Sequence, residues 1–155
     1  MADSLELTDP QRQLLASFTR QMKVLCMAGA WCGDCVDQCP ILRSFEEASS
    51  VIQLRFFDRD LDDSFQQQML MCGGARVPQV IFLSEDGEFV GRYGDRTLAR
   101  YREMAASQLG ASCPTGIVLP DRSTTEAVTA EWLDQFERIH LVLRTSPRLR
   151  ELHSD

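Results

Sequence analysis

The sequence has no apolar run approaching the ~20 residues that a membrane span needs, which argues against a membrane-embedded chain. Its first residues, Met1-Ala2-Asp3-Ser4-Leu5-Glu6-Leu7, lack the basic end and apolar centre of a secretory leader. Basic residues are few beside the acidic ones. Lys and Arg total 16 against 23 Asp and Glu, a formal net charge of −7, which argues against nucleic acid as a partner. Histidine is limited to His140 and His153, and neither sits beside an acid and a nucleophile, so neither is assigned catalysis. The acidic run from Asp58 to Asp63 lacks the glycine and the closing glutamate of a calcium loop and reads as a solvated turn. There is no internal repeat and no low-complexity segment. What remains is a soluble, cytoplasmic globular chain of 155 residues, 44% apolar and 25% charged, fitting one domain with an appendage. In a reducing cytoplasm its six cysteines do not read as a structural disulfide framework.

What is there in place of a framework is Trp31-Cys32-Gly33-Asp34-Cys35, set between an apolar run (Val24 to Ala30) and a segment of helical character. A strand, a Cys-x-x-Cys and a helix form the context of a redox pair. Only a thiolate attacks a disulfide; a free thiol ionises near pH ~8.5, and a helix N-terminus lowers that value. Cys32 at the helix start is therefore the expected nucleophile. Cys35, one turn on and on the same face, is the expected resolving thiol. Gly33 leaves room for a partner backbone. The Asp34 charge is expected to oppose the thiolate, making the dithiol a weaker acid and a stronger reductant.

Along the chain, Thr8-Asp9-Pro10 starts a helix carrying Leu14, Leu15, Phe18 and Met22. A central strand spans 23–28, and the redox helix runs past Pro40 with Ile41, Leu42 and Phe45 on its buried side. A second strand covers 51–57; a short helix then turns Phe65, Met69 and Leu70 inward and stops at Gly73-Gly74. Strands at 79–83 and 89–93 flank the hairpin signal Asp86-Gly87, and a helix follows, closed by Gly110. This order predicts an α/β fold with a mixed four-stranded sheet between helices. Residues 1–110 form this domain. Residues 111–155 form a linker and a helical extension packing on it, with a capping box at Ser123-Thr124-Thr125-Glu126 and a face of Val128, Trp132, Phe136, Ile139 and Leu143. A last short helix starting at Ser146-Pro147 carries Leu149 and Leu152.

The strand, Ala30-Trp31-Cys32-Gly33-Asp34-Cys35, Pro40 five residues beyond the second cysteine, Val77-Pro78, the Asp86-Gly87 hairpin and Gly94 together resemble the thioredoxin family over roughly residues 10–110. The resemblance implies a thioredoxin fold and reversible exchange through a Cys32–Cys35 disulfide. It implies a cis bond between Val77 and Pro78, and a substrate peptide lying against Trp31, Arg76, Val77, Pro78 and the Gly94 turn. Disulfide-containing proteins would be the substrates and a thioredoxin-reductase-like flavoprotein or a small thiol the electron donor, with no cofactor and no metal. The sequence departs from the family where Gly-Asp replaces the common Gly-Pro, and where Cys26 stands at the position of a buried aspartate, with Phe56 near that of its lysine. Cys26 and Asp34 are thus the expected modulators of the pair.

Other readings compete. A thioredoxin-fold adaptor with weak redox activity would dock a partner through the extension. A metal or iron–sulfur site would use Cys32, Cys35 and Cys39, which partly echo a cluster-binding run. Cys26 reads first as a core residue. Cys39, one turn beyond Cys35, reads as packing or as a third redox thiol, and Cys72 and Cys113 as free thiols, with Cys113 a regulatory candidate. The Trp132 face packs on the domain or, if left uncovered, makes a homodimer or partner contact.

Overall fold

The computed structural model describes residues 5–109 and 124–155. Four strands, β1 (Met22–Ala28), β2 (Ile52–Asp58), β3 (Gln79–Leu83) and β4 (Phe89–Gly94), form one sheet in the order β2-β1-β3-β4. β1 runs parallel to β2 and antiparallel to β3, and β3 runs antiparallel to β4. The mixed four-stranded sheet expected from the sequence is therefore the fold. The nearly continuous apolar character of β1 has its cause here: β1 is an interior strand, with Met22, Val24, Cys26 and Met27 all buried.

The helices are α1 (Asp9–Ala16), α2 (Gly33–Ala48), α3 (Asp63–Gln68), α4 (Leu98–Leu109), α5 (Thr124–Thr145) and α6 (Pro147–His153). Thr8 and Gln11 close a reciprocal capping box at the start of α1. That helix is shorter than the spacing of Leu14, Leu15, Phe18 and Met22 suggests. The Ser17 hydroxyl donates to the Leu14 carbonyl at 2.6 Å as the helix ends, so Phe18 reaches the core from a loop and Met22 from β1. α3 also stops early, at Gln68; the chain turns through positive φ at Cys72 and Gly73 while Met71 and Gly74 bridge. α2 continues through Pro40 and buries Cys35, Gln38, Ile41, Leu42 and Phe45.

α5 lies on the same core. It buries Ala127, Val128, Trp132, Leu133, Phe136, Ile139, His140 and Leu143. Phe136 meets Phe45 of α2 and Phe82 of β3 edge-on, each with ring centroids 5.1 Å apart, and Trp132 meets Tyr93 of β4 at 5.1 Å. The approach is close enough that a Cβ at Gly91 would stand 2.8 Å from the Ile139 Cδ1. Each such side chain contributes about 1.5–3 kcal/mol when fully buried. This corrects the homodimer expectation for the Trp132 face, since its apolar residues are covered by the chain's own sheet and α2. In α6 Leu149 is buried, whereas Leu152 is exposed rather than packed. The proposed capping residue Ser123, the closing Gly110 and Cys113 lie outside the described residues. Among the described residues no helix is long and apolar enough to cross a membrane.

Candidate active site

β1 ends at Ala28, and the chain turns through Gly29 into the Cys32 N-cap of α2. That turn lays the Trp31 indole against Gly29, where a Cβ would come within 2.6 Å of the ring. Trp31 remains 59% exposed, and the Arg59 guanidinium stacks over its other side, 4.3 Å from the ring centroid.

Cys32 is half-buried and Cys35 is buried; they share one apolar cluster, and each thiol bears on the ionisation of the other. The Cys32 thiol also donates to the Val77 carbonyl at 3.6 Å, and the Gly29 N–H donates to the Cys35 sulfur at 3.4 Å. The Val77–Pro78 bond is cis, as the resemblance implied. Gly94 stands directly behind it at φ +148, so close that a Cβ would lie 2.5 Å from the Pro78 carbonyl. Trp31, Cys32, Cys35, Val77, Pro78 and Gly94 are thus drawn to one end of the sheet. Arg76 is there too, but held: its guanidinium donates to the Tyr101 hydroxyl at 3.0 Å and lies 3.7 Å from the Asp95 carboxylate.

Both thiols are pushed up. At Cys32 burial is the main cause, with smaller contributions from the Cys35 side chain and its charge; the backbone N–H groups of Cys35 and Asp34 at the helix start pull the other way. At Cys35 the hydrogen bond with Cys39 leads, followed by burial. The expected repulsion by Asp34 gives way to a different arrangement. Its carboxylate pairs with Arg96 at 2.7 Å and with Arg100 at 3.5 Å, and what Asp34 offers Cys32 is an N–H that favours the thiolate.

Cys26 is fully buried on β1, in register with Phe56, in the apolar cluster against which Cys39 packs. The alternative of a metal held by Cys32, Cys35 and Cys39 gains no support from their placement. Among the described residues no group of three or more His, Cys, Asp or Glu side chains is gathered to hold an ion. Successive positions on one helix face string the sulfurs along the axis rather than around a point.

Two features escaped the sequence reading. Asp95, only 2% exposed, takes a hydrogen bond from the Tyr101 hydroxyl and lies 3.3 Å from Arg96, knitting the Gly94 turn to α4. Arg59 follows β2, where its N–H donates to the Ala28 carbonyl at 2.9 Å and its guanidinium is held by Asp60 at 2.8 Å and by the Ala75 carbonyl at 3.0 Å. Its pKa is raised first by Asp60 and, less, by the Cys32 charge. The only sequence signal for Arg59 was its position just after a strand ending level with β1. His140 is structural: its Nε2 accepts from the Thr19 N–H at 3.0 Å, and its ring stacks on Phe18. His153 meets Glu85 at the surface, 2.9 Å away.

Similar folds occur elsewhere. A protein of unknown function from Pseudomonas aeruginosa is 18% identical over 86% of this chain and 74% of its own, with a TM-score of 0.63. An HIV epitope-scaffold is 16% identical over 92% of this chain and 78% of its own, with a TM-score of 0.55. At such identities the likeness concerns the fold alone. No curated protein matches the sequence. A family model described as thioredoxin matches residues 1–108, the stretch holding the whole sheet, the half-buried Cys32 over its buried partner, and the Val77–Pro78 turn. On that match the chain belongs to the thioredoxin family.

Proposed function

We propose that this protein is a thiol–disulfide oxidoreductase that reduces protein disulfides, with Cys32 as nucleophile and Cys35 as resolving thiol. The observation that carries the reading is the pairing of a half-buried Cys32 thiol, at a helix N-cap, with a buried Cys35 thiol in contact with it. The Cys32 thiolate attacks one sulfur of a substrate disulfide, forming a mixed disulfide and releasing the first substrate thiolate. Cys35 loses its proton and attacks Cys32, releasing the second. Two electrons pass to the substrate, and a Cys32–Cys35 disulfide remains.

In this reading the Val77 backbone, next to the Cys32 sulfur, pairs strand-like with the substrate, exposed Trp31 offers apolar contact, buried Pro78 shapes the turn and Gly94 keeps the approach open. Arg76 marks the rim. A thioredoxin-reductase-like flavoprotein or a small thiol restores the dithiol. The reaction needs no resident cofactor, and the cytoplasm is the compartment that suits a reductant. Residues 1–110 serve as the thioredoxin-like domain and 111–155 as a linker and helical extension packed on it, a division supported by the aromatic contacts of α5 with Phe45 and Phe82.

The raised Cys32 thiol favours one second reading, a thioredoxin-fold binding module with weak redox activity. The test is dithiothreitol-driven reduction of insulin disulfides. The enzyme reading expects acceleration by the wild type that is lost in Cys32→Ser. Equal rates with both proteins support the binding module.

A further inference from the structure

Cys32, Cys35, Cys39 and Cys26 are all free thiols. Cys35 and Cys39 lie one turn apart on the same face of α2. Cys39 packs against both apolar clusters of the core: the one containing Cys26, and the one formed by Met27, Cys35, Met69 and Val77. Cys39 lies between Cys35 and Cys26, near enough for each to bear on the ionisation of its neighbour. Cys26 has no exposed surface and Cys35 is 3% exposed, so Cys32 is the end of the row open to a protein substrate. A cavity of about 340 Å³, lined in part by Gly29, Cys35, Cys39 and Phe56, gives the Cys39 side chain room to turn.

We propose that Cys26 and Cys39 are a second, internal dithiol that takes over the disulfide of the Cys32–Cys35 pair, so that one chain stores two electron pairs. The inference rests on the exchange chemistry proposed above. After one turnover the Cys32–Cys35 bond is in place. Cys39 gives its proton to solvent, and its thiolate attacks the Cys35 sulfur. The Cys35–Cys39 bond forms, the Cys32–Cys35 bond breaks, and Cys32 leaves as a thiolate that takes up a proton. Cys32 is the most solvent-accessible of the four thiols, as suits a leaving group. Cys26 then attacks Cys39 in the same way, forming Cys26–Cys39 and returning Cys35 to the thiol. This transfer moves one disulfide inward without net oxidation or reduction. Cys32 and Cys35 are free to reduce a second substrate disulfide. In all, four cysteine thiols become two disulfides while two substrate disulfides become four thiols.

The test is thiol counting on the fully reduced, full-length protein after exposure to an excess of a cyclic peptide disulfide. The reaction is quenched with acid, unfolded, alkylated with N-ethylmaleimide and mapped by mass spectrometry. The wild type is expected to leave two of its six cysteines open to alkylation, with Cys32–Cys35 and Cys26–Cys39 mapped as its disulfides. Cys39→Ser is expected to deliver its first electron pair and then stop, with Cys32–Cys35 as its only disulfide. Cys26→Ala, which removes the terminal acceptor without placing a polar group in the core, is likewise expected to stop at one. A wild type that stops at Cys32–Cys35 alone overturns the relay while leaving the enzyme reading intact. So does a second disulfide made with Cys72 or Cys113. A failure of Cys32–Cys35 itself to form overturns both.

Discussion

The indole N–H of Trp132 donates to the side-chain oxygen of Gln38 at 2.7 Å, inside the core. Gln38 in turn donates to the Asp95 carbonyl at 3.2 Å. One buried amide thus ties α5 to the helix that carries Cys32 and Cys35, and ties that helix to the turn beside Gly94. Trp132→Phe keeps most of the ring volume and leaves the Gln38 oxygen unpaired. A buried polar atom left without its partner costs about 1–3 kcal/mol. Urea unfolding is expected to show an unfolding free energy lower by that amount, through a lower midpoint at an unchanged slope.

His140 makes stability depend on pH. Burial lowers its pKa, helped by the charges of Arg144 and Arg20, while its Nε2 accepts the Thr19 N–H and its ring faces Phe18. The folded state therefore binds its proton less readily than the unfolded state. The contribution is present above the ordinary value of 6.5 and is lost as pH falls through the depressed folded value. Unfolding free energy is expected to drop below about pH 6.5 in the wild type. His140→Gln, which keeps an acceptor for Thr19 and does not titrate, is expected to lack that step; an identical acid-side drop in both proteins would assign it to other groups.

Arg59 stands over Trp31 close enough for its charge to register at Cys32. A partly exposed pair of this kind contributes about 0.2–1 kcal/mol, equivalent to about 1.4–5-fold in thiolate population. Arg59→Gln is expected to raise the Cys32 pKa and slow its alkylation by iodoacetamide at neutral pH by that factor. The pH–rate profile is the measurement that separates this shift from a general loss of access.

Gly94→Ala sets a methyl group 2.5 Å from the Pro78 carbonyl at a φ of +148. A non-glycine residue forced into such backbone costs about 1–3 kcal/mol, and here the neighbour that must move is the turn touching Cys32. Both stability and disulfide reduction are expected to fall, whereas Gly87→Ala, whose Cβ would meet nothing within 4 Å, is expected to lower stability alone.

The parts legible in the sequence were those whose signal is local. The Cys32-to-Cys35 spacing after an apolar run, the Asp86-Gly87 hairpin and the start of α1 at Thr8 each carry their cause within a few residues. The mixed four-stranded sheet followed from the alternation of elements, and the cis Val77–Pro78 turn from resemblance. Contacts between distant segments were not legible. Nothing in the pattern around Gln38 announces Trp132, 94 positions away. The Asp34 charge looked like a neighbour of the thiolate because Arg96 and Arg100 are far off along the chain, yet they meet it across the start of α2. Phe18 and Met22 fell at helical spacing while entering the core from a loop and a strand, since burial selects the same residue types whatever backbone delivers them.

The most direct test of the central claim is to trap the mixed disulfide. With Cys35→Ser the second attack is blocked, so a peptide disulfide should leave one half of the peptide covalently bound to the chain. The account predicts a single adduct mapped to Cys32, reversed by dithiothreitol and absent from Cys32→Ser. An adduct on Cys72 instead, or a Cys32 that stays unmodified while the protein remains folded, would contradict it.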